Sequence, residues 1–104
     1  MEITAGKINE IPPGKMKAVK NGGRAILVAN VGGTFFAIGN VCTHMGCSLS
    51  DGTLSGDRVE CPCHGSTFSL KDGSLVEGPA AEAEPAFAVR TEGDNIMLTV
   101  EKRV

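Results

Sequence analysis

The chain has 104 residues, enough for one compact domain spanning 1–104 and too few for a second with its own core, which excludes a multidomain enzyme. Ten Lys and Arg face twelve Asp and Glu, a net charge of −2, so there is no electrostatic footprint for nucleic acid or for an anionic bilayer. Hydrophobic content is ordinary at 41%, but 14 Gly, no Trp or Tyr, and four Cys beside two His are not. The longest wholly apolar run, Ala25-Ile26-Leu27-Val28-Ala29, falls far short of the ~20 residues that span a membrane. Met1-Glu2-Ile3-Thr4-Ala5 lacks the basic start and apolar stretch of a signal peptide. A soluble, monomeric protein of the cytoplasm is expected, with no nucleic-acid partner and no membrane span.

In chain order, apolar residues alternate at period two and are interrupted by glycine-bearing turns, so the domain reads as all-β. Lys15 to Lys20 is a strand, Asn21-Gly22-Gly23 a turn that tolerates positive φ, and Arg24 to Val31 a second strand rich in aliphatic residues. Gly32-Gly33 leads into Thr34 to Ile38, which makes the start of a meander. Further on, Lys71-Asp72-Gly73 is a turn before Ser74-Leu75-Val76, and Glu92-Gly93-Asp94-Asn95 a turn between Phe87 to Thr91 and Ile96 to Val100. Glu77 to Pro85 reads as an irregular surface loop. No helix of ordinary length is expected.

The middle, Gly39 to about Phe68, is poor in apolar residues and rich in Cys, Gly, Ser, Thr, Asp and His. Such a segment cannot offset its ordering entropy by apolar burial, so a metal centre or disulfides are expected to hold it. Every Cys and His of the chain lies here: Cys42, His44, Cys47, Cys61, Cys63 and His64. Cysteines that serve as small buried hydrophobes, and histidines that decorate a surface, would be scattered. These six fall in two short segments, Cys42-Thr43-His44-Met45-Gly46-Cys47 and Cys61-Pro62-Cys63-His64-Gly65-Ser66.

Two such loops facing each other can supply two thiolates and two imidazoles. A tetrahedral zinc in a Cys₂His₂ site is one candidate, although Cys42 and His44 flank a single residue, a narrow bite for one ion. A [2Fe–2S] cluster is the other, because each loop can then give one ligand to each iron. Cys61-Pro62-Cys63-His64 has one residue too few between its cysteines for covalent haem attachment. A thioredoxin-type pair needs Cys-x-x-Cys opening a helix, and a plant-type four-cysteine cluster needs a Cys where Ser50 stands.

Cys42-x-His44, sixteen intervening residues and Cys61-x-x-His64 resemble the signature of the Rieske [2Fe–2S] family, in which two His replace two Cys on one iron. The resemblance implies Cys42 and Cys61 on one iron and His44 and His64 on the other. It also implies a disulfide between Cys47 and Cys63, as in the branch typified by cytochrome bc₁ and b₆f Rieske proteins. Gly78-Pro79-Ala80 resembles the family's proline-containing loop over the cluster. The fold implied is all-β, stacked antiparallel sheets with a cluster-binding subdomain over residues about 40–68 formed by the two loops.

Two thiolates and two neutral imidazoles leave an oxidised [2Fe–2S] core uncharged, where four thiolates would leave it negative, so an electron enters more easily. Hydrogen bonds to the sulfurs tune the potential further. The family's high-potential members have a serine at the position of Ser66 that donates such a bond, and a tyrosine where this chain has Phe68, which has no donor. The resemblance thus implies a potential below the top of the Rieske range and above that of the lowest oxygenase-type ferredoxins.

The function implied is a one-electron carrier with no turnover of its own, the ferredoxin that links a reductase to an oxygenase or other acceptor. The alternatives are a respiratory-type Rieske component and a zinc-stabilised interaction module. Met45 and Leu49 are candidates for shielding the cluster or for an apolar docking tip, against simple gap filling. Asp51, Asp57 and Glu60 are candidates for steering a basic partner, against an ordinary solvated face. Gly46 and Gly65 are read as turn residues.

Overall fold

The computed structural model describes residues 2–21, 24–41, 47–63, 65–78 and 83–99. Strands β1 (Glu2–Lys7), β2 (Met16–Asn21), β3 (Arg24–Val31), β4 (Thr34–Gly39), β9 (Ala86–Glu92) and β10 (Asn95–Thr99) form one antiparallel sheet in the order β1-β10-β9-β4-β3-β2. Between β4 and β9 the chain inserts a second antiparallel sheet of β5 (Thr53–Ser55), β6 (Arg58–Glu60), β7 (Thr67–Ser69) and β8 (Leu75–Glu77), in that order. Two single 3-10 turns, Ile8–Glu10 and Leu49–Asp51, are the helical elements among the described residues.

The apolar run in β3 explains how the two sheets share one scaffold. Ile26, Leu27, Val28 and Ala29 are all fully buried, as expected of a strand covered on both faces. Successive side chains point to opposite faces. Leu27 and Ala29 join Ile38, Leu49, Val59, Cys61, Phe68 and Leu70 in one core. Ile26 and Val28 join Ala5, Ile11, Ala37, Ile96 and Leu98 in the other. Thus β3 is the wall between a core that supports the large sheet and a core that ties it to the inserted sheet. Each fully buried side chain of this size contributes about 1.5–3 kcal/mol.

The β3–β4 hairpin has Val31 opposite Thr34, with Gly32 and Gly33 at φ 60° and 96°. That is the two-residue connection whose positive φ angles match strand twist and favour glycine. Asn30, buried at its base, accepts from Gly33 N–H (2.8 Å) and donates Nδ2–H to the Ile11 carbonyl (2.8 Å).

Strands expected over 15–20, 24–31, 34–38, 87–91 and 96–100 are present with ends shifted by a residue or two, and Val100 lies outside the described residues. The Asn21-Gly22-Gly23 turn lies largely outside them as well. One expectation for the middle is corrected. It is not without apolar burial, because Leu49, Val59 and Phe68 are fully buried, and β5, β6 and β7 lie in it. A few large side chains, each placed once per short strand, are sufficient where period-two runs are too brief to register. Strand β1 was also not expected; Gly6 marks a register irregularity in its pairing with β10, which breaks the alternation.

Candidate metal centre

The first cysteine loop leaves β4 at Asn40 and returns at Ser48. Its base is closed by an isolated antiparallel bridge between Val41 and Ser48. Leu49 N–H donates to the Asn40 carbonyl (2.7 Å) and Ser50 N–H to Asn40 Oδ1 (2.8 Å). Asn40 N–H in turn donates to the Ala25 carbonyl on β3 (3.0 Å). The second loop leaves β6 at Cys61 and enters β7 at Thr67. Here Cys61 N–H donates to the Ser66 carbonyl (2.7 Å) and Gly65 N–H to the Cys61 carbonyl (3.1 Å). Gly65 has φ 78°, the left-handed conformation this tight return requires.

A disulfide between Cys47 and Cys63 joins the two loops, with Cα atoms 6.5 Å apart. Cys61 is buried at 2% exposure, Cys63 is exposed and Cys47 lies between. The three sulfurs lie within 4.8 Å of one another. Cys47 and Cys63 are not thiolate donors while bonded to each other, so the trio is not itself a metal site. Its meaning is that one loop-joining bond lies directly beside the buried sulfur of Cys61. Cys42, His44 and His64 lie outside the described residues, as do Met45, Gly46, Pro79 and Ala80.

Ser66 and Phe68 are both fully buried. Phe68 packs in the same core as Cys61, Leu49 and Val59, and its partner across the ladder is Val59. It seals the base of the second loop from water. Leu49 occupies the same core at 0% exposure, so it is a structural anchor and not a docking tip. Asp51 and Glu60 are exposed, while Asp57 pairs with Lys71 at 3.4 Å. Glu2 is held below its ordinary value by its hydrogen bond from Arg90, Glu10 by Lys7 N–H, and Asp72 by Ser74, none of which is a proposed ligand.

The Rieske [2Fe–2S] domain matches residues 2–98. The chain belongs to the Rieske [2Fe–2S] family. It is 38% identical over 92 residues to the ferredoxin component of biphenyl 2,3-dioxygenase from Rhodococcus jostii (strain RHA1), covering 88% of this chain and 86% of that protein. It is 36% identical over 98 residues to the cytochrome b6-f complex iron-sulfur subunit of Chlorobaculum thiosulfatiphilum, covering 94% of this chain but 53% of that subunit. Among solved structures, the complex of reduced oxygenase and oxidized ferredoxin in carbazole 1,9a-dioxygenase contains a chain with TM-score 0.91 and 31% identity, covering 99% of this chain and 96% of that one. A [2Fe–2S] cluster is therefore the cofactor of this Rieske domain.

The described residues fit such a group. A buried cysteine, in a loop closed by its own main chain and bonded to the neighbouring loop, is a pre-formed soft donor. The nearby cysteines are tied up in a disulfide and do not compete for iron. Sequence reasoning singled out Cys47, Cys61 and Cys63, which the structure brings together, but missed Asn40 at the root of the first loop. An Asn between Gly39 and Val41 reads as an ordinary turn residue, and its position at a strand-to-loop junction was the one available sign.

Proposed function

We propose that this Rieske domain is a one-electron carrier, the ferredoxin component that passes electrons from a reductase to an oxygenase or similar acceptor. In this reading Cys42 and Cys61 hold one iron of the cluster, and His44 and His64 hold the other. Bound there, a [2Fe–2S] cluster supplies a one-electron couple whose potential is raised by imidazole ligation. The residues of the chain do the rest. The Cys47–Cys63 bond keeps the loops together, Phe68 and Leu49 exclude water beneath them, and the Ser66 hydroxyl is assigned to donate toward a cluster sulfur.

The observation that carries the proposal is the buried Cys61 sulfur beside the bond that joins the two ligand-bearing loops. Support for the carrier role comes from the near-full-length likeness to a dioxygenase ferredoxin component. Residues about 40–68 act as the cluster-binding part of a single domain over 1–104, and partners contact the end that carries the loops. The proposal extends to a cytoplasmic monomer. No helix among the described residues is long and apolar enough to cross a membrane.

Iron and acid-labile sulfide analysis, joined to a redox titration, tests this reading. Two irons and two sulfides per chain with a one-electron wave are expected; one zinc and no sulfide would overturn it. One observation favours a second reading, that of a respiratory-type component: the loop disulfide together with 36% identity to the b6-f subunit. A midpoint at the top of the Rieske range would select it.

A further inference from the structure

Asn40 is 3% exposed, and three hydrogen bonds converge on it at the root of the first loop. Its N–H binds the Ala25 carbonyl of β3, its carbonyl receives Leu49 N–H, and its Oδ1 receives Ser50 N–H. The two residues that it ties down are the start of the Leu49–Asp51 turn, and Leu49 is packed against Cys61 and Phe68 in the core. Asn40, where the first loop departs, is thus tied to β3 through its N–H and to the returning end through its carbonyl and its side chain. The main-chain bonds would survive any substitution that keeps the backbone in place; the Ser50 bond belongs to the Asn40 side chain alone.

We infer that Asn40 is a positioning residue for the cluster: its side-chain oxygen holds together the two ends of the first loop, the loop that carries the proposed ligands Cys42 and His44 in sequence. This rests on the cluster-binding reading above. A disulfide at Cys47 and the main-chain bridge between Val41 and Ser48 also hold the base of the loop; Asn40 adds a side-chain bond from the departing end to Ser50, beyond the returning end. Leaving Ser50 N–H without its acceptor lets the returning end move, and cluster release is the process that such motion opens.

The test compares the purified full-length holoprotein with Asn40→Ala and Asn40→Asp. Iron transfer to excess chelator is followed by loss of visible absorbance, and the reduced cluster is examined by EPR. Asn40→Ala is expected to release iron roughly tenfold faster and to give shifted or broadened g-values. Asn40→Asp, which keeps an oxygen at the same position, restores the wild-type rate. Equal rates for Asn40→Ala and wild type, or for Asn40→Ala and Asn40→Asp, would overturn the inference. If Asn40→Ala does not fold, Asn40→Asp decides alone: tenfold faster release than wild type contradicts it. A wild-type protein without iron and sulfide would instead remove the underlying reading, which the same preparation reveals before any variant is compared.

Discussion

Cys63 is bonded to Cys47 across 6.5 Å between Cα atoms, sixteen residues apart in sequence, with the buried Cys61 sulfur at their side. One covalent bond therefore ties the two loops that carry all the candidate ligands. Closing a loop of this length is worth about 3 kcal/mol through the unfolded state. The Cys47→Ser, Cys63→Ser double variant is expected to melt on the order of 10–20 °C lower, with faster cluster loss. Calorimetry of the holoprotein checks it; an unchanged melting temperature would remove the bond from the list of structural supports.

On the proposed reading, hydroxyls at positions 66 and 68 are the groups that would tune the potential; Ser66 has one and Phe68 does not. A hydrogen bond to a cluster sulfur that strengthens on reduction by about 1 kcal/mol raises a one-electron midpoint by about 40 mV. Ser66→Ala is expected to lower the midpoint by about that amount. Phe68→Tyr is expected to raise it, provided the added hydroxyl is accommodated in a site that is fully buried in the native protein. Protein-film voltammetry of the two variants gives both signs directly.

Gly52 ends the Leu49–Asp51 turn and lies against β6. A Cβ at this position would collide with the Glu60 carbonyl oxygen, which is main chain and cannot swing aside. Gly52→Ala is expected to cost about 1–3 kcal/mol by pushing the turn away from β6. Denaturant unfolding measures the loss.

Three exposed carboxylates are held below their ordinary values. The largest cause is the Arg90 hydrogen bond for Glu2, Lys7 N–H for Glu10, and the Ser74 side chain for Asp72. The Glu2 pair is two-pronged, with Arg90 Nε and one terminal nitrogen each 2.6 Å from a carboxylate oxygen. A depressed folded-state value means that the stabilisation is complete above the unfolded values, 4.5 for Glu and 3.8 for Asp. It is lost as pH falls through the lower folded values. Arg90→Ala is expected to move the Glu2 titration upward, as read by NMR, and to flatten part of the acid limb of the stability curve.

How far the fold could be read in advance depended on strand length. Arg24 to Val31 and Thr34 to Ile38 were legible because their patterns run long enough between glycine turns. β5, β6 and β7 were not, since three-residue strands show too little alternation, and their apolar content is one buried side chain each in Val59 and Phe68 and a half-buried Leu54. Cysteine and histidine stand out in the sequence because they carry their chemistry in their identity; the structure brings Cys47, Cys61 and Cys63 together, and Cys42, His44 and His64 lie outside the described residues. The hydrogen bonds of Asn40 were not, because they join it to Ala25 and Ser50 through folding alone.

The most direct test of the central claim is pulsed EPR on the reduced protein, grown with ¹⁵N-histidine. The account predicts hyperfine couplings from two imidazole nitrogens, lost one at a time in His44 and His64 variants that still fold. A reduced cluster with no histidine nitrogen coupling would contradict it.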